Sequence, residues 1–466
     1  MEINNFPEEL LVMIFEYVSD TDLCNLALVC KNFNNAVNNS SSLVHKFKVT
    51  LNHRRAESRW IGSRKYVTFK ITGCNKKEFE RYVGVFSKYG EHVKYLTLES
   101  NSFNLGSLKV LFVLCPNIQR VFLRHNNIDQ TTDYPFVLRY LYAIDYEGES
   151  LPIEKFKMSS YISILILSGN QNYPEAQTER FLAMQRRLTK LRLIDFNSNA
   201  FFFASPHFHD AIQFKLECLS LVNVSLPENP RLFRFFLNHH KDTLNYLEIG
   251  NLSYDILEYF TNFKKLKTIK FTSIFEREFM FIHNLSDTPM NQVENLIIDC
   301  QNIINIATKF PNLINLEIYR VKINPGEIMQ LQHLQSLTIT ESKNISSLTN
   351  LNARKIKFES CHFTGTKILT TNRRFIQKLS IINCKNVKWL SDFMDYEYLN
   401  LKRFEITGTM MSKKLHGKIM KIERKIEKCI VPSNQVMSDF QAFKQSMQTC
   451  LECFMNFITC LCVPEF

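Results

Sequence analysis

One pattern constrains most of this 466-residue chain. From residue 66 onward an apolar residue is followed by two more at the third and fifth positions beyond it, and often by Asn or Cys at the eighth. Clear copies of this LxxLxLxx(N/C) pattern are VKYLTLESN from Val93, IQRVFLRHN from Ile118, ISILILSGN from Ile162, LECLSLVNV from Leu216, LINLEIYRV from Leu313 and IQKLSIINC from Ile376. Looser copies begin at Tyr66, Leu138, Leu188, Leu244, Leu266, Val293, Leu334, Ala353 and Leu401. Successive starts lie 19 to 28 residues apart, about 24 on average. The central LxL makes a short period-2 strand with its apolar side chains on one side and one residue facing out. No copy can cover its own apolar side, so the copies must stack.

The spacing resembles that of leucine-rich repeats, over residues 66–409. The resemblance implies an α/β fold, a curved solenoid with a parallel inner sheet. Asn or Cys at the eighth position (Cys74, Asn101, Asn126, Asn170, Cys361, Cys384) is expected to satisfy backbone groups where the chain leaves the strand. Copies with Val224, Leu252 or Val321 there must turn by other means. Return segments 75–90, 230–240 and 254–263 read as helices.

The opening stretch, FPEELLVMIFEYVSDTDLCNLALVCKNFNNAV from Phe6, has a different character. Pro7 suits a first helical turn, where its missing N–H costs nothing. Leu10, Ile14, Phe15 and Val18 form an apolar stripe, but Leu11, Val12 and Met13 make the helix apolar nearly all round, so it needs burial on two sides. Two further helices follow, and some 40 residues cannot close a sufficient core unaided. Phe6, Pro7, Glu8, Glu9, Leu10, then Ile14, Phe15, Tyr17, Val18, Asp22, Leu23, Leu26, Leu28, Val29, Cys30, Lys31 and Phe33 resemble an F-box. Phe6, Val18 and Phe33 stand where Leu, Leu and Trp are usual.

That resemblance implies docking on the Skp adaptor of a cullin-RING ubiquitin ligase, and through it on cullin. Phe6, Pro7, Leu10, Ile14, Phe15, Leu23, Leu28 and Val29 are the positions it carries over to the adaptor interface or its support. The expected organisation is a three-helix F-box (1–47), a connecting segment (48–65), the repeats (66–409), and a basic amphipathic and Cys-rich helical tail (410–466). An F-box followed by such repeats implies a non-catalytic substrate receptor. The alternative is a protein-binding scaffold without a role in degradation.

Other function classes find little support. The net charge of +12 and pI near 9.0 are spread over the whole chain, so no nucleic-acid partner is expected, and no apolar run approaches the roughly 20 residues a spanning helix needs, so stable membrane insertion is not expected. MEINNFPEELL lacks a secretory signal pattern, and thirteen cysteines without one suggest free thiols in the cytoplasm or nucleus. No phosphate-binding glycine loop, HExxH or GxSxG occurs, so no catalytic residues, metal or cofactor are expected. Cys450, Cys453, Cys460 and Cys462 are spaced too tightly for a zinc ribbon and suit a buried helix better. Cys462 is fifth from the end, outside a prenylation motif. The segment 413–430 reads as a basic amphipathic helix capping the repeats.

A target is expected on the outward strand residues, which the core does not explain. They read Arg120, Phe122 and Arg124, then Tyr140, Tyr142 and Ile144, then Ile164 and Ile166, then Lys190, Arg192 and Ile194, with Glu317, Tyr319, Lys357 and Glu359 later. Arg and aromatic side chains are typical interface anchors. Arg120, Phe122, Arg124, Tyr140, Tyr142 and Arg192 are the candidate substrate contacts, with a preference for an acidic or phosphorylated segment beside an apolar anchor.

Overall fold

The computed structural model describes residues 6–44, 48–52, 66–129, 141, 143–147, 162–168, 181–195, 206–224, 230–250, 259–272, 288–299, 306–320, 328–348, 351–365, 368–369, 375–395, 400–409, 411–423 and 426–430. The chain forms two compact units, residues 1–266 and 267–466.

Unit 1 opens with helices α1 (Glu8–Phe15), α2 (Asp20–Val29) and α3 (Lys31–Asn39). Pro7 is the N-cap of α1, its carbonyl accepting from the amides of Leu10 and Leu11. Ser19 Oγ caps α2 by accepting from Asp22 N at 3.2 Å. The core between the helices is Leu11, Phe15, Leu23, Ala27, Phe33, Ala36, Val37 and Leu43, with the Phe15 and Phe33 rings edge to face at 5.2 Å. So small a core is extended by the first repeat: Tyr66 packs against it and also meets Phe69 and Tyr89.

The repeats then add strands β1 (Lys48–Asn52), β2 (Thr68–Thr72), β3 (Tyr95–Glu99), β5 (Arg120–Arg124), β7 (Ala143–Glu147), β8 (Ile164–Ser168), β9 (Lys190–Ile194), β10 (Cys218–Val222) and β11 (Tyr246–Gly250). Each pairs in parallel with the next. Register puts like repeat positions side by side, so Phe69, Leu96, Val121, Ile144, Leu165, Leu191, Leu219 and Leu247 form one buried column. A short parallel pair, β4 (Ser102–Asn104) with β6 (Asn127–Asp129), lies beyond the turns. The expected helices at 75–90 and 230–240 are Lys76–Tyr89 and Pro230–His240; of 254–263, residues 259–263 are described and hold the 3-10 turn Phe260–Asn262.

Unit 2 continues with β12 (Thr268–Thr272), β13 (Asn295–Asp299), β14 (Asn315–Tyr319), β15 (Ser336–Thr340), β16 (Lys355–Glu359), β17 (Lys378–Ile382), β18 (Arg403–Thr407) and β19 (Lys428–Ile430), again all parallel. The helix expected over 413–430 as a cap runs only over Lys413–Glu423 and returns the chain from β18 to β19, packed on the helix Trp389–Met394 with Leu415 and Ile419 buried, as its amphipathic pattern requires.

Three features depart from the sequence reading. β1 lies in the stretch expected to be a connector and is the first rung of the ladder, held further by Tyr82 Oη donating to Asn52 O at 2.7 Å. β19 lies in the expected tail and pairs with β18. The copy placed at Leu138 starts instead at Leu141: Ile144 and Tyr146 are buried beside Val121 and Leu123, so Ile144 faces the core and Asp145 and Glu147 face out. Leu138, Leu141 and Ile144 allow both frames, and the neighbouring strand selects the second.

How the chain leaves each strand is also shared. The seventh position of the repeat adopts a left-handed backbone in every copy where it is described, including Gly73, Ser100, His125, Asn223 and Gly408, with φ between 50° and 66°. The Val224 copy therefore turns as the others do, through Asn223. At Gly408 a Cβ would sit 1.8 Å from Asn383 Oδ1, so another residue there would have to displace the Asn383 side chain as well as adopt the left-handed φ of 60°.

Candidate functional site

Two surfaces carry side chains that the core does not use. The first is on α1. Leu11 and Phe15 are buried in the three-helix core, whereas Leu10, Met13, Ile14 and Tyr17 are 47%, 60%, 41% and 92% exposed. Their spacing of three, four and seven residues places them along one side of the helix. Tyr17 lies just beyond Glu16, the C-cap of α1, and continues the helical turn through a hydrogen bond from its amide to Ile14 O. One side of α1 is thus spent on the core and the other is an uncovered apolar stripe, the type of surface a partner covers. Leu28 on α2 is likewise 72% exposed.

The remaining carried-over positions take different places. Phe15 and Leu23 lie inside the core and support the surface from beneath. Phe6, Val18 and Val29 are partly buried against that core, and Pro7 is exposed at the start of α1. The stripe therefore runs through Tyr17 where helical spacing alone suggested Val18.

The second surface is the outward face of the strands in unit 1. Arg120, Phe122 and Arg124 alternate with buried Val121 and Leu123, and the guanidinium of Arg120 lies 4.5 Å from the Phe122 ring centre. Lys190 and Arg192 are exposed on β9, and Ile164 and Ile166 are half-buried on β8. Tyr140 and Tyr142 lie outside the described residues. Arg124 is already engaged: Asp145 Oδ2 is 3.4 Å from Nη2 and Glu147 Oε2 is 3.9 Å from Nε, both on the adjoining strand. Those carboxylates offset the charge that an acidic segment would meet at Arg124.

The ladder beneath this face is closed by eighth-position side chains. Asn101 Oδ1 accepts from Cys74 N at 3.0 Å, and its Nδ2 donates to Ile71 O at 2.9 Å. Asn126 repeats the arrangement, donating to Leu98 O and accepting from Asn101 N. In the last full repeat Thr409 takes this place, its Oγ1 accepting from Cys384 N at 3.0 Å. Burial pushes the Cys74 thiol up to about 11 and the Cys115 thiol up to about 12, so these cysteines behave as apolar filler. Among the described residues no His, Cys, Asp and Glu cluster could hold a metal ion, and no helix is long and apolar enough to cross a membrane. The four tail cysteines, Cys450, Cys453, Cys460 and Cys462, lie outside those residues.

Residues 3–49 match the F-box-like family model. No curated protein sequence matches the chain. Similar solved structures include a leucine-rich-repeat protein of Leptospira interrogans (15% identity over 72% of this chain and 90% of that one, TM-score 0.37). An internalin of Listeria monocytogenes has 13% identity over 78% of this chain and 96% of that one, TM-score 0.33. The TLR13–ssRNA13 complex has 13% identity over 80% of this chain, TM-score 0.48, and this chain spans 61% of the length of that one. The repeat architecture itself stands on the parallel registers of the two ladders.

Proposed function

We propose that this chain, an F-box-like domain joined to leucine-rich repeats, is the substrate-recognition subunit of a Skp-cullin-F-box ubiquitin ligase. The apolar stripe Leu10, Met13, Ile14 and Tyr17 carries this reading. A domain serving only to cap the repeats needs one apolar side on α1, and that side is already supplied by Leu11 and Phe15. The second side serves an adaptor, which reads apolar anchors along a helix. The outward faces of the repeats hold the protein to be modified. The chain performs no chemistry itself; it raises the effective concentration of target beside the ligase.

The test is capture from cell extract by the full chain and by an L10D/I14D double variant, blotted for Skp adaptor and cullin. Both positions lie outside the three-helix core, so the substitutions leave that core's packing in place. Burying a carboxylate in an interface costs several kcal/mol, enough to abolish a micromolar complex. Adaptor and cullin should come down with the unaltered chain alone. Equal capture by both chains, or by neither, would refute docking through α1.

A further inference from the structure

The last four strands of unit 2 carry a pattern that the repeat does not require. At the outward position opening each strand stand Lys355 in β16, Lys378 in β17, Arg403 in β18 and Lys428 in β19, all exposed. Register sets them side by side: Lys355 with Lys378, Lys378 with Arg403, and Arg403 with Lys428. With strands about 4.8 Å apart, the four cations form a row about 14 Å long. Among the described residues none of the four makes an ion pair or a side-chain hydrogen bond. The preceding residues add Arg354 and Lys402, and of these Lys402 faces Glu427 at 3.9 Å.

The row begins abruptly. The same position in β12 to β15 holds Thr268, Asn295, Asn315 and Ser336, where Asn315 donates to Asn295 at 2.6 Å and Asn295 to Thr268 at 3.1 Å. Neutral polar residues thus fill this column well, and they link neighbouring strands. Like charges side by side on a sheet are destabilising. Nothing in the packing of β16 to β19 calls for cations at an exposed position.

We infer that this row docks an acidic segment of a partner protein, extended across β16 to β19. The inference rests on the receptor reading above and gives its target a chemical class. Carboxylates at alternate positions of an extended segment recur about every 6.7 Å, so three of them span about 13 Å and match the row. The flanks favour protein over nucleic acid. Glu359, Glu405 and Glu427 border the row, and Lys357 is spent on Glu359 at 2.6 Å. Such carboxylates repel a continuous phosphodiester chain but tolerate separated acidic side chains. No outward residue of these four strands is aromatic, so bases have nothing to stack on.

The experiment is fluorescence anisotropy with the full chain and a labelled twelve-residue peptide alternating Glu and Ser, beside an oligothymidine of equal charge. The peptide should bind with an affinity that falls as salt rises. It should lose at least tenfold in K378E/R403E and by a smaller factor in K378Q/R403Q, while K264E, at an exposed lysine outside the strands, leaves it unchanged. Equal peptide binding by unaltered chain and K378E/R403E, or tighter binding of the oligothymidine, overturns the inference. Adaptor capture by K378E/R403E, run in parallel, separates the two readings. Its retention with loss of the peptide supports the row, whereas peptide binding by a chain that never captures adaptor sinks the receptor reading and leaves the row standing.

Discussion

Lys378→Glu should make the free protein more stable, which is the reverse of what most substitutions do. Lys378 stands between Lys355 and Arg403 in the ladder, so reversing its sign removes two repulsions and creates two attractions. All the groups are exposed, and water screens each pairwise term to about 0.2–0.5 kcal/mol. Four such terms give about 1–2 kcal/mol. In a unit of this size that raises the melting temperature by about 2–8 °C. Lys378→Gln, which only removes repulsions, should give about half. Both gains should vanish in 1 M salt, where the screening length falls to about 3 Å. Thermal unfolding at low and high salt reads this directly. An unchanged or lower melting temperature for K378E at low salt would show that the cations are not straining one another, and the case for a row explained by its ligand fails.

Asn101→Ala leaves the Cys74 amide and the Ile71 carbonyl without partners in a buried setting, at about 1–3 kcal/mol each. Asn126→Ala should cost less, because its half-exposed site lets water substitute; urea midpoints and amide exchange at Cys74 check the order. Burial raises Cys74 and Cys115 above their ordinary value near 9. The unfolded chain therefore releases those protons first, and the stability they contribute is complete below pH 9 and lost as pH climbs toward 11 or 12. Between pH 8 and 10.5 the unfolding midpoint of Cys115→Ala should fall less steeply than that of the unaltered chain, and parallel slopes would refute this.

How far the sequence discloses this molecule depends on whether a feature is repeated. The inward LxL residues recur often enough to place nearly every strand, because two buried columns must run the length of each ladder. The slip at Leu138 arises where three apolar residues at steps of three allow two frames, and only Val121 and Leu123 on the neighbouring strand choose between them. β19 escapes notice because its copy, IEKCIV from Ile426, offers Cys429 where Leu or Ile is usual. The left-handed seventh residue is hidden because Ser100, His125 and Asn223 adopt it as Gly73 does, and only glycine would have marked it. On α1 the all-round apolar pattern announces two buried sides, but which residues face the core follows from how α3 packs.

Arg124 and Arg403 show why a binding face cannot be read one strand at a time. Each is an outward arginine on a repeat strand, Arg124 closing β5 and Arg403 opening β18, and either suits an acidic partner when taken alone. Arg124 has Glu147 at its register position on β7 and Asp145 beside it, so its charge is used within the sheet. Arg403 has Lys378 on one side and Lys428 on the other, so its charge is reinforced. In both places the arginine flanks an alternating apolar strand; the residues a strand away, brought close only by register, decide that one arginine's charge is offset within the sheet and the other's is not.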